Sequence, residues 1–155
     1  LVSRFENIII LRSMSKGYSL AGLRFGYAVA RPSVIQQLLK VKDSYNVNSI
    51  STAAAAEAMK DQEAFRTNIE KIKAERSSLT GRLRELGFSV PASHTNFLLA
   101  GIAEPEARCI HKRLAENGIF VRYFALPGLE DKLRITVGTA QQNQRLIKTL
   151  KQILK

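Results

Sequence analysis

With 155 residues, 45% of them hydrophobic, the chain can bury a core and does not have the composition of a disordered segment. Its net charge of +11 is spread over both ends in no single block, which argues against a nucleic-acid reader, whose basic residues gather on one face or arm. The single cysteine, Cys109, excludes an internal disulfide framework; with no secretory signal at the start and no apolar run near the ~20 residues that span a bilayer, a cytoplasmic protein with no membrane partner is expected.

In chain order, Ile8-Ile9-Ile10-Leu11 reads as a strand buried on both faces, because four branched apolar residues in a row leave no polar side. Ser13 to Tyr27 follows, rich in hydroxyls and small residues, and Phe25 to Ala30 reads as a second strand. Arg31-Pro32-Ser33 ends it, since proline suits a first helical turn. Val34, Leu38, Leu39 and Val41 then suggest a short amphipathic helix. After a polar connection at residues 43–49, Ser51 or Thr52 is the expected cap of an alanine-rich helix, Ala53 to Lys60. Phe65, Ile69, Ile72, Leu79, Leu83 and Leu86 form a helical stripe that Arg76 interrupts, and Gly87 ends the helix.

The second half alternates short strands with helices. Phe88 to Ala92 is a short extended piece, and Thr95 to Leu99 a strand. Pro105 to Asn117 is a helix whose inner face holds Ala107, Ile110, Leu114 and Ala115; Cys109 reads as a small apolar helix residue and His111 lies on the wet face. Ile119 to Phe124 and Leu133 to Val137 are strands, and Ala140 to Leu154 a terminal helix. His94 has no partners at ligand spacing, so no metal site is expected.

Two places carry chemistry. Ser13, Ser15, Lys16 and Arg24 follow the first strand, where open α/β sheets place their ligands. Lysine forms a Schiff base with a carbonyl. Hydroxyls and a guanidinium match a phosphate dianion. The same pattern also describes a solvated loop lysine. In Leu133 to Val137, alternation puts Leu133, Ile135 and Val137 on one face and Arg134 with Thr136 on the other. A mid-strand arginine needs an anionic partner, either a carboxylate of the protein or a ligand.

Ser-Met-Ser-Lys-Gly-Tyr-Ser-Leu-Ala-Gly-Leu-Arg-Phe-Gly-Tyr, residues 13–27, resembles the lysine signature of fold-type-I aminotransferases that use pyridoxal 5′-phosphate, and more narrowly the histidinol-phosphate aminotransferase family. Leu-Arg-Ile-Thr-Val-Gly-Thr, residues 133–139, and Val-Arg-Tyr-Phe, residues 121–124, are similar to C-terminal motifs of that family. The one visible departure is Ser13, where threonine is common; the hydroxyl is kept. The resemblance implies that Lys16 carries the cofactor and shuttles a proton, and that Ser13, Ser15 and Arg24 hold the cofactor phosphate. It further implies that Arg134 binds the α-carboxylate of an amino acid and Arg122 a distal phosphate, with Asn96 near the mouth of the site.

The implied fold is α/β. It comprises the C-terminal part of a large domain with a mostly parallel sheet (residues 1–60), a long connecting helix (61–86) and a smaller α+β C-terminal domain (87–155). The implied reaction, a step of histidine biosynthesis, is amino transfer between histidinol phosphate and 2-oxoglutarate by a homodimer. The family's partner for the pyridine nitrogen and its other cofactor contacts precede the lysine, so this stretch is expected to be a portion of a longer enzyme and inactive alone. Two alternatives stay open. One is a related enzyme, an aromatic aminotransferase or a threonine-phosphate decarboxylase; the other is a non-enzymatic anion-binding module.

Overall fold

The structure is a computed structural model and describes residues 1–103 and 105–155. The chain forms two compact units, Leu1–Ile69 and Glu70–Lys155.

In the first unit, β1 (Ile10–Ser13) pairs antiparallel with β2 (Gly26–Val29), and the register sets Ser13 opposite Gly26. This one pair is antiparallel, whereas the sheet of the large domain is expected to be mostly parallel. The connection from Met14 to Phe25 holds only a 3₁₀ turn at Ala21–Leu23. Without a crossover helix, consecutive strands return antiparallel. The expectation of a doubly buried strand also fails: Leu11 is 77% exposed, and Ile9 and Val29 are exposed as well. A two-stranded ribbon has nothing to lay over both of its faces.

Helix α1 (Pro32–Val41) begins with proline in its first turn and has no fully buried residue; Val34 is half-buried and Leu38, Leu39 and Val41 are exposed. Helix α2 (Ser49–Lys60) is capped by Asn48, whose Oδ1 accepts from Ser51 N at 2.8 Å. The cap is therefore Asn48 and not Ser51 or Thr52. Ser51, freed from capping, is buried and donates from Oγ to Leu23 O at 3.0 Å. Helix α3 (Gln62–Glu85) follows at once, with Asp61 Oδ1 accepting from Ala64 N.

The second unit is a three-stranded antiparallel sheet with helices packed against it. The strands are β3 (Phe97–Gly101), β4 (Arg122–Tyr123) and β5 (Lys132–Thr136), in the order β3-β5-β4. Leu98, Ala100, Leu133 and Ile135 point into the core. They meet Leu79 and Leu83 of α3, Ile110 and Leu114 of α4 (Ala107–Glu116), and Leu146, Ile147, Leu150 and Ile153 of α5 (Ala140–Ile153). This is the alternation expected of a half-buried sheet.

Gly87, at φ +87°, ends the helix as the sequence suggests. Arg76 interrupts the apolar stripe because its guanidinium donates to Thr95 O at 2.8 Å. Thr139 and Gln142 form a reciprocal capping box at the start of α5. Cys109 is exposed on α4, against the expectation of an apolar packing residue, and His111 is half-buried with its ring 5.9 Å from that of Tyr123.

Candidate active site

Lys16 sits in a tight turn between β1 and the 3₁₀ turn. Met14, fully buried, anchors the turn: its N–H donates to Phe25 O at 3.2 Å and its carbonyl accepts from Leu20 N at 3.0 Å. The Lys16 carbonyl accepts from Ser19 N at 2.9 Å. Ser19 is left-handed, at φ 57°. The Lys16 side chain is exposed, so its amine is free to meet a ligand.

Ser13 Oγ accepts from Ser15 N at 3.2 Å. That contact uses a lone pair and leaves the hydroxyl proton to donate elsewhere. Arg24 is also left-handed, at φ 53°, and one guanidinium N–H reaches Ala21 O at 3.3 Å. The pairing of Ser13 with Gly26 and of Met14 N with Phe25 O puts Ser13, Ser15 and Arg24 at one end of the ribbon. A cavity of about 310 Å³ beside the turn is lined by Gly17, Tyr18, Ala64, Phe65 and Asn68 among others; neither Lys16 nor Arg24 lines it.

The donor set suits a phosphorylated aldehyde. It offers one amine, two hydroxyls and one guanidinium. The four ion pairs among the described residues join Glu6 to Arg31, Glu57 to Lys60, Glu70 to Lys73 and Asp131 to Lys132. None of them occupies Lys16 or Arg24.

In the second unit, Arg134 lies on the face of β5 away from the core, between buried Leu133 and Ile135. Arg122 of β4 is its direct cross-strand partner. The Arg134 guanidinium carbon lies 5.4 Å from the centre of the Phe97 ring and 5.6 Å from that of Phe124; Arg122 reaches the same Phe124 ring at 5.3 Å. Among the described residues no carboxylate pairs with either arginine. Like charges directly opposite on adjacent strands oppose folding. The aromatic faces offset part of that cost, and a bound anion would remove it. Asn96 is half-buried just before β3, with its carbonyl accepting from Val137 N at 2.9 Å.

Several residues around the lysine turn carry no signal of their own in the sequence. Phe65 stacks on Tyr18 with ring centres 4.3 Å apart. Asn68 donates from Nδ2 to Gly17 O at 2.8 Å, and Gln62 donates to the Tyr18 hydroxyl at 3.2 Å. The helical spacing of Phe65, Asn68 and Ile69 marks one face of α3, but only the fold shows that this face meets residue 17.

A family model described as aminotransferase class I and II matches residues 1–150. Histidinol-phosphate aminotransferase 1 of Trichormus variabilis is 49% identical over 155 residues, all of this chain and 44% of that protein. Among solved structures, histidinol-phosphate aminotransferase from Sinorhizobium meliloti in complex with pyridoxal 5′-phosphate superposes with a TM-score of 0.84 at 29% identity, covering 96% of this chain and 41% of that one. L-threonine-O-3-phosphate decarboxylase from Porphyromonas gingivalis superposes with a TM-score of 0.85 at 28% identity, covering 99% and 48%. The chain thus spans less than half the length of the relatives it matches.

Proposed function

Because the chain belongs to the aminotransferase class I and II family, we propose that the full-length protein is a pyridoxal-phosphate-dependent aminotransferase acting between histidinol phosphate and 2-oxoglutarate. The observation that carries the reading is the Lys16 turn: an exposed amine on a backbone tied down on both sides, with Ser13, Ser15 and Arg24 at the same end of the ribbon and, among the described residues, no acid paired with Lys16 or Arg24. Histidinol-phosphate aminotransferases among the relatives favour the substrate.

In this reading Lys16 is the residue that would hold the cofactor, its amine condensing with the aldehyde with loss of water. The hydroxyl protons of Ser13 and Ser15 and the Arg24 guanidinium are donors to its phosphate. When bound, the cofactor supplies the electron sink that makes an α-proton of the amino donor acidic. Released from the cofactor when the amino donor takes its place, the Lys16 amine would take that proton and return it. Arg134, unpaired with any carboxylate among the described residues, receives the substrate's α-carboxylate through its planar fork. Arg122 receives the distal phosphate, and Asn96 contributes an amide at the edge. We read the enzyme as a cytoplasmic homodimer and the present stretch as inactive by itself.

The test uses the full-length protein. Pyridoxal phosphate should give a visible absorption band that Lys16→Ala abolishes, and glutamate should form from 2-oxoglutarate only when histidinol phosphate is supplied. Failure to form that band, or its persistence in Lys16→Ala, removes the reading. The similarity to a threonine-phosphate decarboxylase supports a second one. Carbon dioxide release from threonine phosphate, without glutamate formation, would establish it instead.

A further inference from the structure

The first turns of α3 form a dock for the backbone that follows Lys16. Three contacts build it. Asn68 Nδ2 donates to Gly17 O at 2.8 Å and also approaches Ser19 Oγ at 3.4 Å. Tyr18 lies flat on Phe65, with its hydroxyl accepting from Gln62. Gly17 is pressed so closely on the helix that a Cβ there would lie 2.4 Å from Phe65 Cε2 and 3.1 Å from Ile69 Cδ1.

These contacts supply what the sheet does not. On its N-terminal side, Lys16 is tied through Met14 to Phe25, the residue before β2. On its C-terminal side, the turn's own ties are Ser19 N on Lys16 O and Leu20 N on Met14 O, neither of which holds the Gly17 carbonyl. A lysine side chain has four rotatable carbons, so its amine is only as well placed as its Cα. Asn68 is the side chain that bonds the peptide joining Gly17 to Tyr18, one residue beyond that Cα. Its amide is suited to the task. The N–H donates to the Gly17 carbonyl, and half-burial keeps water from substituting freely for it.

We propose that Asn68 is a positioning residue for Lys16, acting through the Gly17 carbonyl; this rests on the reading of Lys16 as the cofactor-bearing amine. Asn68 touches neither substrate nor cofactor in this account. It sets where the Lys16 amine comes to rest.

The experiment compares Asn68→Ala and Asn68→Asp with the parent in the full-length protein. Aspartate keeps the shape of asparagine but, ionised, cannot donate to a carbonyl. Three readouts are taken: hydrogen exchange of the segment 14–20 without cofactor, the pH midpoint of the visible band with pyridoxal phosphate bound, and kcat and KM with thermal stability recorded alongside. Both variants should exchange faster in that segment, and their band should titrate at a midpoint moved by at least about half a pH unit. In both, kcat should fall roughly ten- to a hundredfold with KM nearly unchanged.

Faster exchange with an unmoved midpoint and unchanged kcat would overturn the proposal, leaving Asn68 a packing residue. Unchanged exchange would overturn it as well. Should Asn68→Ala fail to fold, Asn68→Asp decides by the same measures. Lys16→Ala runs in parallel: if it keeps the visible band, the functional reading itself has failed, a result separable from any behaviour of residue 68.

Discussion

Arg122 and Arg134 stand directly opposite each other on neighbouring strands and share one aromatic ring, that of Phe124, at 5.3 and 5.6 Å. Two cations so placed, with no acid pairing either among the described residues, raise the free energy of the empty protein and lower that of an anion complex.

Replacing either arginine should therefore separate stability from binding. Arg122→Gln removes a like-charge contact, so the melting temperature without anions should hold or rise. In the full-length enzyme Arg134→Gln should cost about 2–4 kcal/mol of substrate interaction, roughly thirty- to a thousandfold in kcat/KM. Arg122→Gln should raise KM for a phosphorylated donor far more than for an aromatic one. Equal losses on both donors would show that Arg122 does not read the phosphate. Calorimetry and steady-state kinetics on the two variants decide it.

The close approach of Gly17 to α3 predicts a compensating pair. Gly17→Ala inserts a methyl group 2.4 Å from the Phe65 ring, and that ring cannot yield without leaving Tyr18. Overpacking of this kind costs about 1–3 kcal/mol. Phe65→Leu should reduce the penalty in the double variant. Urea unfolding of the four proteins in the cycle gives the coupling energy, and strictly additive losses would mean that the two residues do not compete for space.

Ser51 holds the 3₁₀ turn that follows. It is buried, and its hydroxyl is the donor to Leu23 O at 3.0 Å, next to Arg24. Ser51→Ala leaves that carbonyl without this donor and should destabilise the protein by about 1–2 kcal/mol. An unchanged denaturation midpoint would show that water replaces the serine.

Asp131 carries a titration prediction. Its carboxyl is held below the ordinary carboxylate value, first by the hydrogen bond from Lys132; desolvation opposes this, while a backbone hydrogen bond and the Lys132 charge add to it. A carboxyl lowered by folding lends its stabilisation above the unfolded value and surrenders it as pH falls through the folded one. Since the group is at the surface, the effect on global stability should be small. The direct check is carboxyl NMR: in Lys132→Met the Asp131 signal should titrate at higher pH than in the parent.

The second unit was largely legible in the sequence, because its elements obey local rules. Leu133 and Ile135 alternate with Arg134 and Thr136 across a sheet with one wet face, and α5 shows an apolar stripe every three or four residues. The first unit was less legible. An apolar run such as Ile8 to Leu11 reports what would suit burial on both sides, while the burial itself depends on neighbours that the run does not specify. Asn48 took the capping place ahead of Ser51 because the bond from Ser51 to Leu23 joins residues 28 apart, a distance over which propensity says nothing. The pairing of Asn68 with Gly17 spans 51 residues and was invisible for the same reason. Lys16 and Arg134 stood out through their motifs; the residues that seat them did not.

The uncovered apolar residues of the first unit bear on handling. Leu11, Val41 and Ile50 are each about four-fifths solvent-exposed (77, 81 and 77%), on a ribbon strand and on the outer faces of two helices. Purified by itself, this stretch should light up environment-sensitive dyes, elute early from a sizing column and need detergent or a fused carrier to stay dispersed.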